Sequence, residues 1–217
     1  MKEPVRALWW SALLVQMEIE NNTLGIEIQN SFFNLLKEHF PKSLLQKAKE
    51  GNVIKIISIA CGRFREAKSI FDYFSSFEKA LELYGIEIDK EFLTFAENEL
   101  KNKKQVYLKA ADASLMESYK DWGEFDLIIV RHPEITFNTD IFIKIFANCK
   151  NILKKDGYLL ITTHFENEKE AIIPLLKLLN FKLVSSVENK NAPIAKTVKS
   201  DSEVSYADKF LLIATGG

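Results

Sequence analysis

The residues best suited to chemistry follow short apolar runs, at points where a buried strand would end. Five such positions carry a glycine or a reactive side chain: Gly62, Glu87, Asp112, Arg131 and His132. A glycine turn lets backbone N–H groups face a polar ligand, and carboxylates accept protons from hydroxyl or amine groups. A histidine exchanges protons near neutral pH. The pattern predicts a site that binds a polar ligand and moves a proton.

Five apolar runs supply the strands that would bring these residues to one edge. The runs are rich in β-branched residues and span 53–60, 81–88, 106–110, 125–130 and 158–162. Amphipathic segments of helix length separate or follow them, at 66–77, 90–102, 140–154 and 168–179. Continuous apolar runs suit strands buried on both faces, and alternation with helices indicates βαβ units. Ligands bind such sheets outside the carboxyl ends of the strands.

The last two apolar runs of the chain are connected differently from the first five. Runs 181–187 and 209–214 are joined without a helix, by a long polar loop at 189–207. Two strands joined in this way are expected to be antiparallel. The predicted fold is therefore α/β: a Rossmann-like, seven-stranded, mostly parallel sheet with an antiparallel terminal hairpin.

The start of the chain predicts a helical extension. Apolar periodicity indicates helices at 5–18 and 27–39, the second ended by Pro41. We expect residues 1–50 to form an N-terminal helical lid and residues 51–217 to form the sheet domain. The first apolar stretch is short and runs into acidic residues, which favours a helix over a secretory signal.

Composition excludes several classes of protein. The 217 residues carry a formal net charge of −1, which argues against a basic surface for nucleic acid. The 2 cysteines and 3 histidines show no metal-ligand spacing, so we expect no metal site. No apolar run is long enough for a membrane helix, and we expect a cytoplasmic protein. The 8 glycines include no G-x-G-x-x-G fingerprint, which argues against a nicotinamide-dependent oxidoreductase.

Two of the acidic residues have a structural alternative. Glu87 lies between two isoleucines of a buried strand, near the ~20-residue spacing after Gly62 expected of a ribose-binding acid. Its alternative is to begin the next helix, a role that suits Asp89 as N-cap better. Asp112 could accept a hydrogen bond from an exocyclic amine or cap the next helix.

Taken in order, the strand-end segments resemble a known family. They are Ile-Ala-Cys-Gly, Tyr-Gly-Ile-Glu-Ile-Asp, Ala-Asp-Ala, Phe-Asp-Leu-Ile-Ile-Val and Leu-Lys-Lys-Asp-Gly-Tyr-Leu-Leu-Ile. Over residues 53–214 this order is similar to the class I S-adenosylmethionine-dependent methyltransferases. The final antiparallel hairpin is similar as well.

The resemblance implies S-adenosylmethionine as cofactor and a role for each matched residue. The loop around the methionine end of the cofactor would comprise Ala60, Cys61, Gly62 and Phe64. Glu87 would bind the ribose hydroxyls and Ile88 would pack on the adenine. The adenine edge would meet Asp112 and Ala113, and the methyl-transfer site would be lined by Arg131 and His132.

The first motif departs from the family pattern at three positions. The family usually has an acid at Ser58 and glycines at Ala60 and Phe64. The Phe64 side chain needs room in a turn that the family leaves bare, and a positive φ there would be strained.

The reaction implied is methyl transfer to an oxygen or nitrogen of a small molecule. His132 could deprotonate the acceptor, and Arg131 could hold an anionic group of it. The alternative for His132 is a packing histidine held by Pro133. Two further interpretations stay open: a catalytically inactive binding or partner protein of this fold, and a protein or tRNA methyltransferase.

Overall fold

The predicted sheet is confirmed in the computed structural model, which describes residues 23–196 and 204–217. The seven strands of the main sheet are β1 (Ile54–Ile59), β2 (Leu81–Glu87), β3 (Val106–Ala110), β4 (Phe125–Arg131), β5 (Leu153–Thr163), β6 (Phe181–Glu188) and β9 (Phe210–Gly216). Their order is β3-β2-β1-β4-β5-β9-β6. β9 pairs antiparallel with both β5 and β6, and the other pairs are parallel.

Helices flank the sheet and lead into it. They are α1 (Thr23–His39), α2 (Lys42–Lys49), α3 (Glu66–Tyr73), α4 (Lys90–Leu100), α5 (Thr139–Ile152) and α6 (Glu166–Leu178). The predicted helix at 27–39 lies within α1, whereas the one predicted at 5–18 lies outside the described residues. Asp89 caps α4, because its side chain accepts hydrogen bonds from the backbone N–H groups of Glu91 and Phe92. No helix in the described ranges is long and apolar enough to cross a membrane.

Several boundaries differ from the sequence pattern, and the helix predicted at 66–77 ends at Tyr73. The sequence pattern did not predict α2, a second helix that begins directly after Pro41. β5 begins at Leu153, five residues early, because Leu153 pairs with Phe125 ahead of a register shift, while the polar residues 154–156 interrupt the apolar pattern. The polar segment predicted as loop 189–207 contains a short hairpin, β7 (Ile194–Lys196) and β8 (Val204–Tyr206).

The N-terminal helices share one core with the sheet. Phe32 and Phe40 are buried in the same apolar cluster as β1, β2 and β4 side chains. Phe40 also packs against Tyr73 and Phe74, with ring centroids 4.8 and 5.4 Å away. The Arg131 guanidinium lies over the Phe32 ring, with its Cζ atom 4.3 Å from the ring centroid. Helix α1 therefore also reaches the carboxyl edge of the sheet. The division of the chain at residue 50 stays a prediction.

Gly85 makes the room that Phe64 needs. Phe64 is only 2% exposed and its ring belongs to the core. A Cβ added at Gly85 would lie 3.0 Å from Phe64 Cδ1 and 3.1 Å from Cys61 Sγ. It would also lie 2.7 Å from Leu108 Cδ2. The bulk that the first loop carries at Phe64 is therefore matched by the missing side chain in the middle of β2.

We expect Gly85→Ala to lower the free energy of unfolding by about 1–3 kcal/mol, because the new methyl group overpacks this contact. Urea unfolding of the single variants, Gly85→Ala and Phe64→Ala, and of the double variant measures the coupling. The double variant should be more stable than the sum of the two losses predicts, since removing the ring opens the space. Strictly additive losses would contradict the pairing of these two residues.

Candidate active site

In the loop after β1, every second residue has a left-handed backbone conformation. Ala60, Gly62 and Phe64 have φ values of 52°, 53° and 53°. Hydrogen bonds fix this shape: the Cys61 N–H donates to the Ile86 carbonyl at 3.0 Å, and the Phe64 N–H donates to the Cys61 carbonyl at 2.8 Å. Two of the three left-handed positions carry side chains, so the strain expected at Phe64 is present and Ala60 shares it.

Ala60 and Phe64 offer a matched test of that strain. Ala60→Gly should raise the free energy of unfolding by about 0.5–1 kcal/mol, because Ala60 is exposed and loses only strain. Phe64→Gly relieves the same φ but removes a buried ring, so we expect a net loss of about 2–4 kcal/mol. Denaturant titration of both variants compares them. A loss of stability in Ala60→Gly would mean that the left-handed turn costs nothing here.

Glu87 ties the loop to the end of β2. Its Oε2 accepts the Gly62 N–H at 2.8 Å, and its Oε1 accepts the N–H groups of Ile88 and Asp89 at 2.8 and 3.0 Å. Although it is only 6% exposed, the carboxylate thus has three backbone donors. A carboxylate has about four lone-pair sites, so these bonds leave capacity on Oε2 for a ligand hydroxyl.

The remaining residues predicted for the adenine lie beside Glu87. Ile88 is 60% exposed, an unusual position for isoleucine directly after a buried strand. Asp112 is half-buried, and its Oδ1 accepts the Ser114 N–H at 2.8 Å in a local turn; the next helical turn has Leu115 as its N-cap, so Asp112 does not cap a helix and its second oxygen remains for a ligand. Ala113 is buried, and its carbonyl accepts from the Tyr119 hydroxyl at 2.8 Å.

Cys61 is buried next to this loop. Burial and the nearby carboxylates of Glu66 and Glu87 raise the pKa of the Cys61 thiol well above its usual value. A protonated thiol is a poor nucleophile, which leaves Cys61 a packing role in the loop. Cys149 is fully buried in α5 and belongs to the apolar core.

A buried charge cluster joins β4 to three other segments at the carboxyl edge. The Arg131 guanidinium donates to Asp208 through Nε at 3.2 Å and Nη2 at 2.6 Å. Its Nη1 lies 3.4 Å from Oε2 of Glu66, the first residue of α3. Glu66 also accepts a hydrogen bond from the Ser58 hydroxyl. The carboxyl edge therefore carries a carboxylate beside Ser58, supplied from the following helix.

The ionisation of Asp208 depends on this cluster. Burial raises the pKa of Asp208, but the charges of Arg131 and His132 and their hydrogen bonds outweigh it and hold the pKa well below its usual range. Burial lowers the pKa of Arg131, whereas Asp208 and Glu66 raise it, and the net effect is a raised pKa. Arg131 stays cationic and Asp208 stays anionic although the latter is 0% exposed.

His132 lies on the accessible side of this cluster. Its side chain is 24% exposed and Nε2 lies 2.9 Å from Asp208 Oδ1. The Asp208 backbone N–H points to the same nitrogen at 3.2 Å. The His164 ring stacks on the His132 ring with centroids 3.8 Å apart. Both His132 and Asp208 have left-handed backbones, with φ of 52° and 51°.

The sequence prediction missed three members of this arrangement: Glu66, His164 and Asp208. Glu66 reads as an ordinary first-turn acid of a helix, and His164 follows the fifth run without other chemistry-bearing neighbours. Asp208 ends a polar segment in which several acids look equally solvated. Only the antiparallel insertion of β9 next to β5 brings Asp208 beside Arg131 and His132.

Comparisons with known proteins concern the family and the fold. Residues 57–161 match the family described as methyltransferase domain. The fold is similar to an S-adenosylmethionine-dependent methyltransferase from Clostridium acetobutylicum, at 13% identity and TM-score 0.59, over 87% of this chain and 92% of that one. It is similar to a TehB-like SAM-dependent methyltransferase from Corynebacterium glutamicum, at 16% identity and TM-score 0.59, over 98% and 99%.

A third solved structure is a magnesium protoporphyrin IX methyltransferase from Synechocystis with bound SAM. It is 12% identical, with TM-score 0.56, over 90% of this chain and 85% of that one. No curated protein sequence matches the chain. The strand order and the family match define a class I S-adenosylmethionine-dependent methyltransferase domain. Residues 57–161 thus carry the match to a methyltransferase domain, and S-adenosylmethionine is the methyl donor of this family.

The chemistry of the strand-end residues fits this cofactor. A ribose diol needs a carboxylate acceptor, and Glu87 has a lone pair to offer on Oε2. An adenine needs an apolar face and an acceptor for its amine, which suit the exposed Ile88 and the second oxygen of Asp112. The open side of Gly62, where an added Cβ would meet nothing within 4 Å, leaves room at the loop.

Proposed function

We propose that the protein methylates an oxygen or nitrogen atom of a small molecule, with His132 as the general base. The observation that carries this proposal is the contact between His132 Nε2 and the buried Asp208 carboxylate, at 2.9 Å. This contact stands at the carboxyl edge of the sheet, where ligands of this architecture bind. A small acceptor fits a chain of net charge −1, which offers nucleic acid little attraction.

The cofactor residues are part of the same proposal. The loop of Ala60, Cys61, Gly62 and Phe64 would hold the methionine end, Glu87 the ribose, and Ile88, Asp112 and Ala113 the adenine. When bound, S-adenosylmethionine supplies an electrophilic methyl carbon, and in-line attack on it leaves the bonding electron pair on sulfur. The protein supplies orientation, exclusion of water and a base.

His132 would take the proton of the acceptor. The acceptor O–H or N–H gives its proton to the imidazole, and its lone pair becomes the new bond to the methyl carbon. Arg131 would hold an anionic group of the acceptor. Its Nε, Nη1 and Nη2 already donate to Asp208 and Glu66, and two of its five N–H groups remain for such a contact.

Two measurements test the proposal. Calorimetric titration with S-adenosylhomocysteine should give binding that Glu87→Ala weakens, since the variant removes the acceptor for the ribose. No binding at millimolar ligand would overturn the enzymatic proposal in favour of an inactive partner protein. Incubation with methyl-tritiated cofactor and separate pools of metabolites, tRNA and proteins should label the metabolite pool. Label confined to tRNA or protein would overturn the small-molecule acceptor.

A further inference from the structure

We propose that Asp208 is a positioning residue that fixes His132 in one tautomer, with the proton on Nε2 and the lone pair on Nδ1 facing the acceptor. This inference rests on the proposed role of His132 as a base and adds the residue that controls it. Asp208 lies in the turn before β9, which is distant along the chain from the segments that carry the other proposed site residues.

The tautomer follows from two contacts that compete for one nitrogen. The Asp208 N–H could donate to Nε2 at 3.2 Å only if Nε2 has its lone pair free. Nε2–H could instead donate to Asp208 Oδ1, at 2.9 Å. The second contact is shorter and its oxygen belongs to an ionised carboxylate, so electrostatic attraction favours a proton on Nε2 over a lone pair there. With the proton on Nε2, the basic lone pair lies on Nδ1.

Asp208 is itself held in place and kept ionised by its surroundings. Arg131 binds both of its oxygens, at 3.2 and 2.6 Å. The Asn189 side-chain amide donates to the Asp208 carbonyl at 3.3 Å and to the Ser31 hydroxyl of α1 at 3.0 Å. An anion fixed in this way can orient a neighbouring imidazole and stabilise the positive charge that the ring gains with a proton.

The other groups around the pair restrict the ring. His164, at the end of β5, stacks on His132 with an interplanar angle of 20°. The His132 backbone N–H donates to the Thr162 carbonyl of β5 at 2.8 Å. The hydrogen bond fixes the main chain and the stacking opposes rotation of the imidazole, so that Nδ1 keeps one direction. Within the part of the chain that the structure describes, both polar contacts of the His132 side chain use Nε2.

The proton balance of the step is simple. The acceptor transfers H⁺ to Nδ1, and His132 becomes an imidazolium with N–H groups on both nitrogens. Nε2–H continues to donate to Asp208, whose carboxylate stays ionised. The methyl group moves to the acceptor with no change in the oxidation state of the protein, and His132 returns the proton to water after product release.

The direct test is the nitrogen spectrum of the histidines. The chain has 3 histidines, so replacing each in turn assigns their signals. In ¹⁵N-labelled protein at about pH 8.5, where ordinary histidines are neutral, His132 should show a protonated Nε2 and an unprotonated Nδ1. A proton on Nδ1, or a ring that is still charged, would overturn the proposal without any variant.

Variants then connect the tautomer to the rate. Asp208→Asn should lose the Nε2–H preference and lower kcat about 10²–10⁴-fold, with little change in KM. Asp208→Glu keeps the charge for Arg131 but displaces the carboxylate, and it should restore part of the preference. The matched control is Glu66→Gln, which removes the other carboxylate partner of Arg131 and should leave the His132 spectrum unchanged.

The outcomes separate this inference from the proposed function. If Asp208→Asn lowers kcat while the tautomer stays that of the wild type, Asp208 acts on structure alone and the inference fails. If the tautomer depends on Asp208 but His132→Asn retains full turnover, the positioning stands and the proposed base fails. If Asp208→Asn does not fold, the spectra of the wild type and of Asp208→Glu decide.

Discussion

His132→Asn is expected to lower methyl transfer about 10²–10⁴-fold while leaving S-adenosylhomocysteine affinity within about twofold of the wild type. Asparagine is the suitable replacement because residue 132 has a φ of 52°, a region that asparagine tolerates better than alanine or glutamine. The amide cannot accept a proton at neutral pH, so the acceptor must lose its proton to water. Initial rates under saturating cofactor, together with calorimetry, measure the two quantities.

His39→Asn is the matched control for this substitution. His39 ends α1, and its described partner is the exposed Glu38 of the same helix, at 3.6 Å. We expect turnover and cofactor binding to stay at the level of the wild type. Unchanged turnover in His132→Asn with intact cofactor binding would remove His132 from the mechanism, and a parallel loss in both variants would point to the fold.

Arg131→Met is expected to lower the free energy of unfolding by about 3–5 kcal/mol. The substitution keeps an apolar side chain next to Phe32 but leaves the carboxylates of Asp208 and Glu66 buried without their cation. Removing one partner of a buried ion pair strongly destabilises the fold, because the other charge stays buried without compensation. The intact pair itself stabilises the fold little more than well-packed apolar side chains would. Urea unfolding at pH 7 measures the loss.

The pH dependence of that loss has a defined sign. Because the folded pKa of Asp208 is depressed, its ion pair stabilises the fold above about pH 4, the unfolded pKa of aspartate, and this contribution is lost as pH falls. The variant has no such contribution to lose. The difference in unfolding free energy between wild type and Arg131→Met should therefore shrink when pH is lowered from about 5 to about 2.

Lys103→Met controls for the loss of a positive charge. Lys103 pairs with Glu78 at 2.7 Å, but the two side chains are 37% and 40% exposed. An ion pair in water contributes at most about 1 kcal/mol, so the variant should stay close to the wild type at both pH values. A loss below about 1 kcal/mol in Arg131→Met would show that water reaches the cluster and that its charges need no mutual compensation.

The fold could be predicted from sequence because its determinants are local. Buried parallel strands are apolar along their whole length, as in Phe125–Arg131, and the helices between them show a clear apolar face. β5 was predicted too short because the polar residues 154–156 follow Leu153 and interrupt the apolar run. The β7–β8 hairpin was not predicted, because each of its two short strands pairs only with the other.

The site could be predicted only where a functional residue is recognisable from the strand end on which it lies. Glu87 is conspicuous because an acid in a buried strand needs partners, and the structure supplies three backbone donors. Asp208 lies 77 positions after Arg131, and no local pattern relates the two residues. The compensation of Phe64 by Gly85 was missed for the same reason: the sequence shows that Phe64 needs room, but no local pattern shows that Gly85 provides it.

The strand order also constrains when the site can assemble during folding. In the main sheet β6 pairs with β9 alone, and β9 fills the position between β5 and β6 although it follows both in the chain. A nascent chain can therefore align β1 to β5 early, but the open edge of β5 stays exposed and β6 has no place in the sheet until β9 arrives. Asp208 lies two residues before the start of β9, so the buried anion beside His132 forms in this last step. The proposed base is thus oriented only once the sheet is complete, and a partly folded chain has no competent site.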